Sequence, residues 1–342
     1  MKFSDIAYTR PDINALEDNF NAVIDKFNAA ENADEQMHII RQINDLRMEY
    51  VTQKTLAEIR YSVDTFNKHY EEEQKFFDDN DPEYEGIVHR YYESLINSKF
   101  RKELEEKAGR QLFSVAEVAV KVFKPEIEGD LKTENELKTE YTKLIASAKI
   151  FFNGEETNLA EFAPYMQDTD RETRKAANDA KWQFFSDNAE EFDRIYDELV
   201  KVRHSMALNL GYKNFVQLGY DRMGRTDYNR EMVAHFRKHV LDYIVPITVK
   251  LKHRQQDRLG ISDFKYYDQP LDYKSGNAKP HGNPEWIVRC ATNMYNELSP
   301  ETGEFFNHMV ENEMMDLVAK KGKDMGGYCT FIEKYKSPFI FS

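Results

Sequence analysis

The 342-residue sequence predicts a mainly α protein, a long-helix, multi-lobe architecture with one or two small β-hairpins. Apolar residues recur at i, i+3 and i+4 over long stretches, the spacing that lays a stripe along one side of a helix. Only 14 Gly and 10 Pro accompany 32% charged residues, a balance that suits long helices better than a turn-rich β architecture. Hydrophobic residues make up 41%, with 23 Phe and 20 Tyr, enough apolar mass to offset the entropy of ordering the chain.

The elements follow in order. From Ile13 the apolar positions Leu16, Phe20, Val23 and Phe27 form a first stripe, and Leu56, Ile59, Val63, Phe66 and Tyr70 a second. A third runs through Tyr84, Ile87, Tyr91 and Leu95. The acidic runs Glu71-Glu72-Glu73 and Asp78-Asp79-Asn80-Asp81 lack the alternating ligands and glycine of a calcium loop, so they read as solvated helix ends. Thr133-Glu134-Asn135-Glu136 has the spacing of a capping box, and Asn153-Gly154 between Ile150-Phe151-Phe152 and Leu159 predicts a tight hairpin. A second capping box at Thr169–Glu172 opens a very long helix through Phe192, Tyr196, Leu199 and Met206, with Gly211 suited to a left-handed residue just past its end. After Asp227 a further helix is expected to turn Met232, Phe236, Val240, Tyr243, Ile247 and Leu251 inward and to end at Gly260, with Pro246 forcing a kink or a break. Asn283-Pro284 and Ser299-Pro300 mark two more helix starts. Gly326–Ile332 and Pro338–Phe341 read as two short strands. The chain stops in the second of them without a polar tail, which predicts a cut chain whose last sheet is completed elsewhere.

Subtracting 61 acidic from 47 basic side chains leaves a net charge of −14, which repels phosphate backbones and anionic bilayers, so no nucleic acid and no membrane partner is expected. Two cysteines build no disulfide framework and fit a reducing, cytoplasmic setting; there is no signal-like or membrane-spanning apolar run. Oligomeric state is not legible. His235 and His239 lie one helical turn apart and could chelate a metal, but Phe236 stands where a general-base glutamate would follow, and Arg237-Lys238 oppose a dication. The expected role is a histidine pair beside a buried stripe. Cys329 follows Gly326-Gly327-Tyr328, where missing side chains let a ligand approach the backbone; without a base or oxyanion partner in view it reads as a small buried residue. The chain contains no nucleophile elbow, Walker loop or dinucleotide fingerprint.

Gly326-Gly327-Tyr328-Cys329 followed by Tyr335-Lys336-Ser337-Pro338-Phe339-Ile340-Phe341 resembles the oligoendopeptidase F branch of the thimet-type zinc metallopeptidases. The likeness continues upstream in Tyr165–Asp168, Arg171, Arg174-Lys175-Ala176-Ala177, Trp182, Leu210-Gly211-Tyr212, Asp227-Tyr228 and Val245-Pro246. It covers roughly residues 110 to 342, while the first hundred share only helicity and acidity. It implies an N-terminal helical region over 1–112, a helical module with a small hairpin over 113–203, and from 204 to 342 an incomplete zincin-like catalytic domain. Such enzymes cleave internal bonds of short peptides with a zinc-activated water held by His-Glu-x-x-His, a motif absent here. The resemblance therefore implies zinc in the intact enzyme and none bound by this chain, with no catalytic residue among the 342 and oligopeptides as partners. Gly326, Gly327, Tyr328 and Cys329 are the candidate substrate-contacting residues, on an edge strand along which an extended peptide would lie. The alternative function is a non-catalytic helical peptide-binding or scaffold protein; a third, an independent metal site at His235 and His239.

Overall fold

Asp12 accepts from the Ala15 amide and Asn32 from the Glu35 amide, starting α1 (Ile13–Ala29) and α2 (Ala33–Val63). The structure, a computed structural model, describes residues 1–279 and 281–342. The stripe of α1 buries Phe20, Ile24 and Phe27 against α2 and α3 (Lys68–Ile96), which Asn67 caps. α4 (Arg101–Ala108) and α5 (Arg110–Val122) close this first core with Leu104 and Phe113. The second predicted stripe spans two helices: the chain turns at 64–67, leaving Phe66 half exposed.

α6 (Glu128–Ala146) runs through the supposed capping box, with Thr133 and Glu134 inside it. The hairpin is where the sequence places it. β1 (Ile150–Phe152) pairs antiparallel with β2 (Glu155–Thr157), and Asn153 and Gly154 carry φ of 52° and 85°, the conformation a two-residue hairpin demands. After α7 (Ala163–Met166), the expected single long helix is two, α8 (Arg171–Asp187) and α9 (Ala189–Asn209), broken at Asn188. Asp170 caps the first, and Gly211 adopts φ of 83° past the second. α10 (Phe215–Arg222) packs on α5 and α9.

α11 (Arg230–His239) passes through a π-helical turn at Val240–Ile244 into α12 (Val245–Leu259). Pro246 therefore sits in the first turn of α12, where its missing donor matters least. The apolar stripe here faces solvent rather than a core: Met232, Phe236, Tyr243, Ile247 and Leu251 are all exposed, Phe236 by 68%. The 3.6-residue rhythm forecast the helix correctly; which side is covered depends on neighbours that a local pattern does not contain.

α13 (Pro284–Leu298) and α14 (Pro300–Glu311) start at their predicted caps, Asn283 and Ser299. A three-stranded sheet follows, ordered β3 (Met315–Asp316), β5 (Ser337–Phe341), β4 (Tyr328–Ile332). β3 runs parallel to β5 and β4 antiparallel to it, so β4 is a free edge. Ile332, Phe339 and Phe341 bury against Leu56 and Ile59 of α2, making that helix the backing of the sheet.

Candidate functional site

The peptide groups on the edge of β4 can be assigned from the ladder. The amides of Ile340 and Ser342 donate to Met314 and Asp316, so the peptide groups at even positions of β5 face β3. Ser337, Phe339 and Phe341 consequently face β4, opposite Ile332, Thr330 and Tyr328. Cys329 and Phe331 are left with N–H and C=O pointing away from the sheet. Pro338 faces the β3 side, beyond the end of that short strand, where its lack of a donor costs nothing.

The strand is held by the turn between α2 and α3. The Thr65 amide and hydroxyl both donate to the Gly322 carbonyl at 2.8 Å, and the Asp324 amide donates to Ser62 O at 2.8 Å. Gly322 has φ of 76°, and a Cβ there would lie 2.9 Å from the Phe66 ring. Lys323 is buried, with Nζ donating to Asp316 Oδ1 at 2.7 Å and to the carbonyl of Ser342 at 2.6 Å, which ties the loop to β3 and the end of β5. The Tyr328 and Ser62 hydroxyls hydrogen-bond at 2.6 Å, and the Tyr328 ring stacks on Phe341.

Beside this edge opens a cleft of about 650 Å³, walled by α2, α3 and α6, with Arg222 at the end of α10 and Tyr328, Cys329 and Thr330 of β4 on its rim. Five carboxyl side chains line it, Glu58, Asp78, Asp81, Glu85 and Asp324, against three bases, Lys54, Lys138 and Arg222. The acidic run at 78–81 is thus not a solvated helix end: it lies mid-helix in α3, with Asp78 and Asp81 buried toward the cleft. Lys54 pairs with Asp81 at 2.7 Å. Arg222 and Arg203 both pair with Glu134, 2% exposed, at 2.6 and 2.7 Å, with Lys138 at 3.5 Å. Burial works against the Glu134 carboxylate, but the hydrogen bond and charge of Arg222, with Lys138 and Arg203, bring its pKa down to about 2. Glu85 behaves oppositely: its side chain reaches the cleft water, yet desolvation by the surrounding walls and the neighbouring Asp81 push it up to about 7. Desolvation by the walls also raises Asp78, Asp324 and the half-exposed Glu58.

Of the predicted contact residues, Gly326 (φ 125°) and Gly327 lead into β4, and a Cβ on Gly327 would meet the Phe341 carbonyl at 3.2 Å. Tyr328 is half-buried and committed to Ser62, whereas Cys329 is exposed rather than the small buried residue expected. His235 and His239 are exposed on α11, a helix without a buried residue, so they do not lie beside a buried stripe of it as expected. Among the described residues no group of three or more His, Cys, Asp or Glu is placed to hold a metal. No described helix is long and apolar enough to cross a membrane.

Residues 3–123 match the family model of the Peptidase M3 N-terminal domain. The whole chain superposes on PZ peptidase A, solved with an inhibitor, at 52% identity and a TM-score of 0.98, covering 61% of that protein. Over its whole length the chain is similar to oligoendopeptidase F-type peptidases. A Bacillus anthracis strain Ames protein described as an oligoendopeptidase F matches over the whole chain at 51% identity and a TM-score of 0.98, with 63% of its length covered. Another structure so described gives 50% identity, a TM-score of 0.99 and 60% coverage. The chain therefore spans about three-fifths of the length of these structures. No match was found among curated proteins. The match to 3–123 corrects the expectation that the first hundred residues share only helicity and acidity with the family: they supply α2 and α3, two walls of the cleft.

Proposed function

We propose that this chain forms the cleft wall and substrate strand of a cytoplasmic zinc oligoendopeptidase, an enzyme hydrolysing internal bonds of short, unstructured peptides. The observation that carries the reading is the free edge of β4 opening onto the cleft. An extended peptide would add there as a further strand: the Cys329 and Phe331 amides donate to its carbonyls, and their own carbonyls accept from its N–H groups. Such pairing is indifferent to substrate side chains. Gly326 and Gly327 leave the approach to the strand free of side chains. The cleft walls formed by α2, α3 and α6 favour a thin, unfolded chain over a folded protein.

Zinc would activate the attacking water in such an enzyme. The residues present do not fit that role: the sequence has no His-Glu-x-x-His, and the described residues offer no metal-holding group. What these residues do is bind and orient. The division into 1–112, 113–203 and 204–342 belongs to this proposal, with the cleft assembled from helices of the first two parts and Arg222, Asp324 and the strand of the third.

Backbone recognition is tested with N-methylated peptides. Methylating alternate amides of an oligopeptide is expected to weaken its binding, measured by fluorescence anisotropy, about tenfold or more in one register, since each methyl removes a hydrogen bond and adds a clash. Equal binding of methylated and unmethylated peptides would contradict the proposal.

A further inference from the structure

We propose that Phe331 is a specificity-determining residue of the peptide strand, selecting oligopeptides that carry an aromatic or large aliphatic side chain at the position paired with it. This rests on the reading of β4 as that strand. The two faces of β4 are unlike. Tyr328, Thr330 and Ile332 lie on the α2 face, where the Tyr328 hydroxyl meets Ser62 at 2.6 Å and Ile332 is buried against Leu56 and Ile59. Cys329 and Phe331 lie on the other face and are exposed, Phe331 by 46%. Their register partners on β5, Ile340 and Pro338, are half-buried, so this face of the two strands carries no charged side chain.

The register of an added strand follows from the peptide groups of β4. Cys329 and Phe331 are the two residues whose N–H and C=O point off the sheet, and the same two carry its exposed side chains. Residues directly opposite each other across a ladder share a face whichever way the strands run, with their Cα atoms roughly 5 Å apart. The peptide residue opposite Phe331 therefore sets its side chain beside the open Phe331 ring, and the residue two positions away sets its own beside the small Cys329. The residue between them points to the other face, beside Thr330 on the cleft rim. An apolar side chain against the ring takes apolar surface of both out of water, and an aromatic one adds an edge or offset-stacked contact. A small polar one gains neither. Backbone pairing supplies the general affinity and Phe331 the preference at one position.

The test uses two oligopeptides of one extended sequence that differ at a single central residue, phenylalanine or serine. Binding is read by calorimetry, and occupancy of the strand by protection of Cys329 from alkylation, located by mass spectrometry. Wild type is expected to bind the phenylalanine peptide about three- to tenfold more tightly, the range of a cross-strand aromatic pair. Phe331→Thr, an exposed change to a residue that strands favour, is expected to bind the two peptides alike and the serine peptide as wild type does, with Cys329 still protected. Phe236→Thr, which removes a more exposed ring on α11, is expected to keep the full preference. Peptides that bind wild type alike while protecting Cys329 would overturn the role of Phe331 and leave the strand reading intact. A preference that survives Phe331→Thr, or one that is lost in Phe236→Thr, would overturn it too. If neither peptide protects Cys329, the strand reading falls, and the role of Phe331 with it.

Discussion

Replacing Glu134 by glutamine is expected to unlock the joint between α6, α9 and α10. The carboxylate is 2% exposed and joins Arg222 of α10, Arg203 of α9 and Lys138 of its own helix. Its pKa falls from 4.5 to about 2. At about 1.4 kcal/mol per pH unit this corresponds to roughly 3 kcal/mol of stability at neutral pH. Because the folded-state pKa is the lower one, the contribution is complete above 4.5 and disappears as the pH falls through about 2. Urea denaturation of wild type and Glu134→Gln at a series of pH values measures it. The difference is expected to be roughly 3 kcal/mol at pH 7 and to shrink to roughly 1.5 kcal/mol near pH 3, as wild type loses the charge that the variant never had. A difference below about 1 kcal/mol at pH 7, or one that does not change with pH, would refute the assignment of Glu134 as the charged hub.

Gly322→Ala is expected to cost about 1–3 kcal/mol and to weaken peptide binding, since the new Cβ meets the Phe66 ring at a positive φ and displaces the loop leading to β4; thermal denaturation and anisotropy check both. Alkylation followed by mass spectrometry should modify exposed Cys329 before half-buried Cys290. Turnover by the 342-residue chain is expected to be absent, and chelator-sensitive hydrolysis from pure material would contradict the division of roles proposed above.

What the sequence reveals divides along physical lines. Features specified by a few neighbouring residues were legible: the Asn153-Gly154 hairpin, the proline helix starts at Pro284 and Pro300, and the strands around the 333–336 turn. Features that need a distant partner were not. The stripe from Met232 to Leu251 has the right period but faces solvent, and the parallel pairing of the two-residue β3 has no local signature. Asp78 and Asp81 look like surface charges because a run of aspartates does not show that α2 and α6 will pack around it. The break at Asn188 is equally hidden, since apolar spacing continues on both sides. The strand at Gly326–Ile332 was legible from its sequence, its proposed substrate role only from the resemblance; its free peptide groups became assignable when the β3–β5 hydrogen bonds fixed which side of β5 faces β4.

Hydrogen exchange of individual β4 amides, with and without an extended oligopeptide, tests most directly whether this edge receives a substrate backbone. The account predicts that the amides of Cys329 and Phe331 exchange rapidly in the free protein and slow markedly when peptide is bound, while those of Tyr328, Thr330 and Ile332, already paired with β5, change little. Tight peptide binding that leaves Cys329 and Phe331 exchanging at their original rates would contradict it.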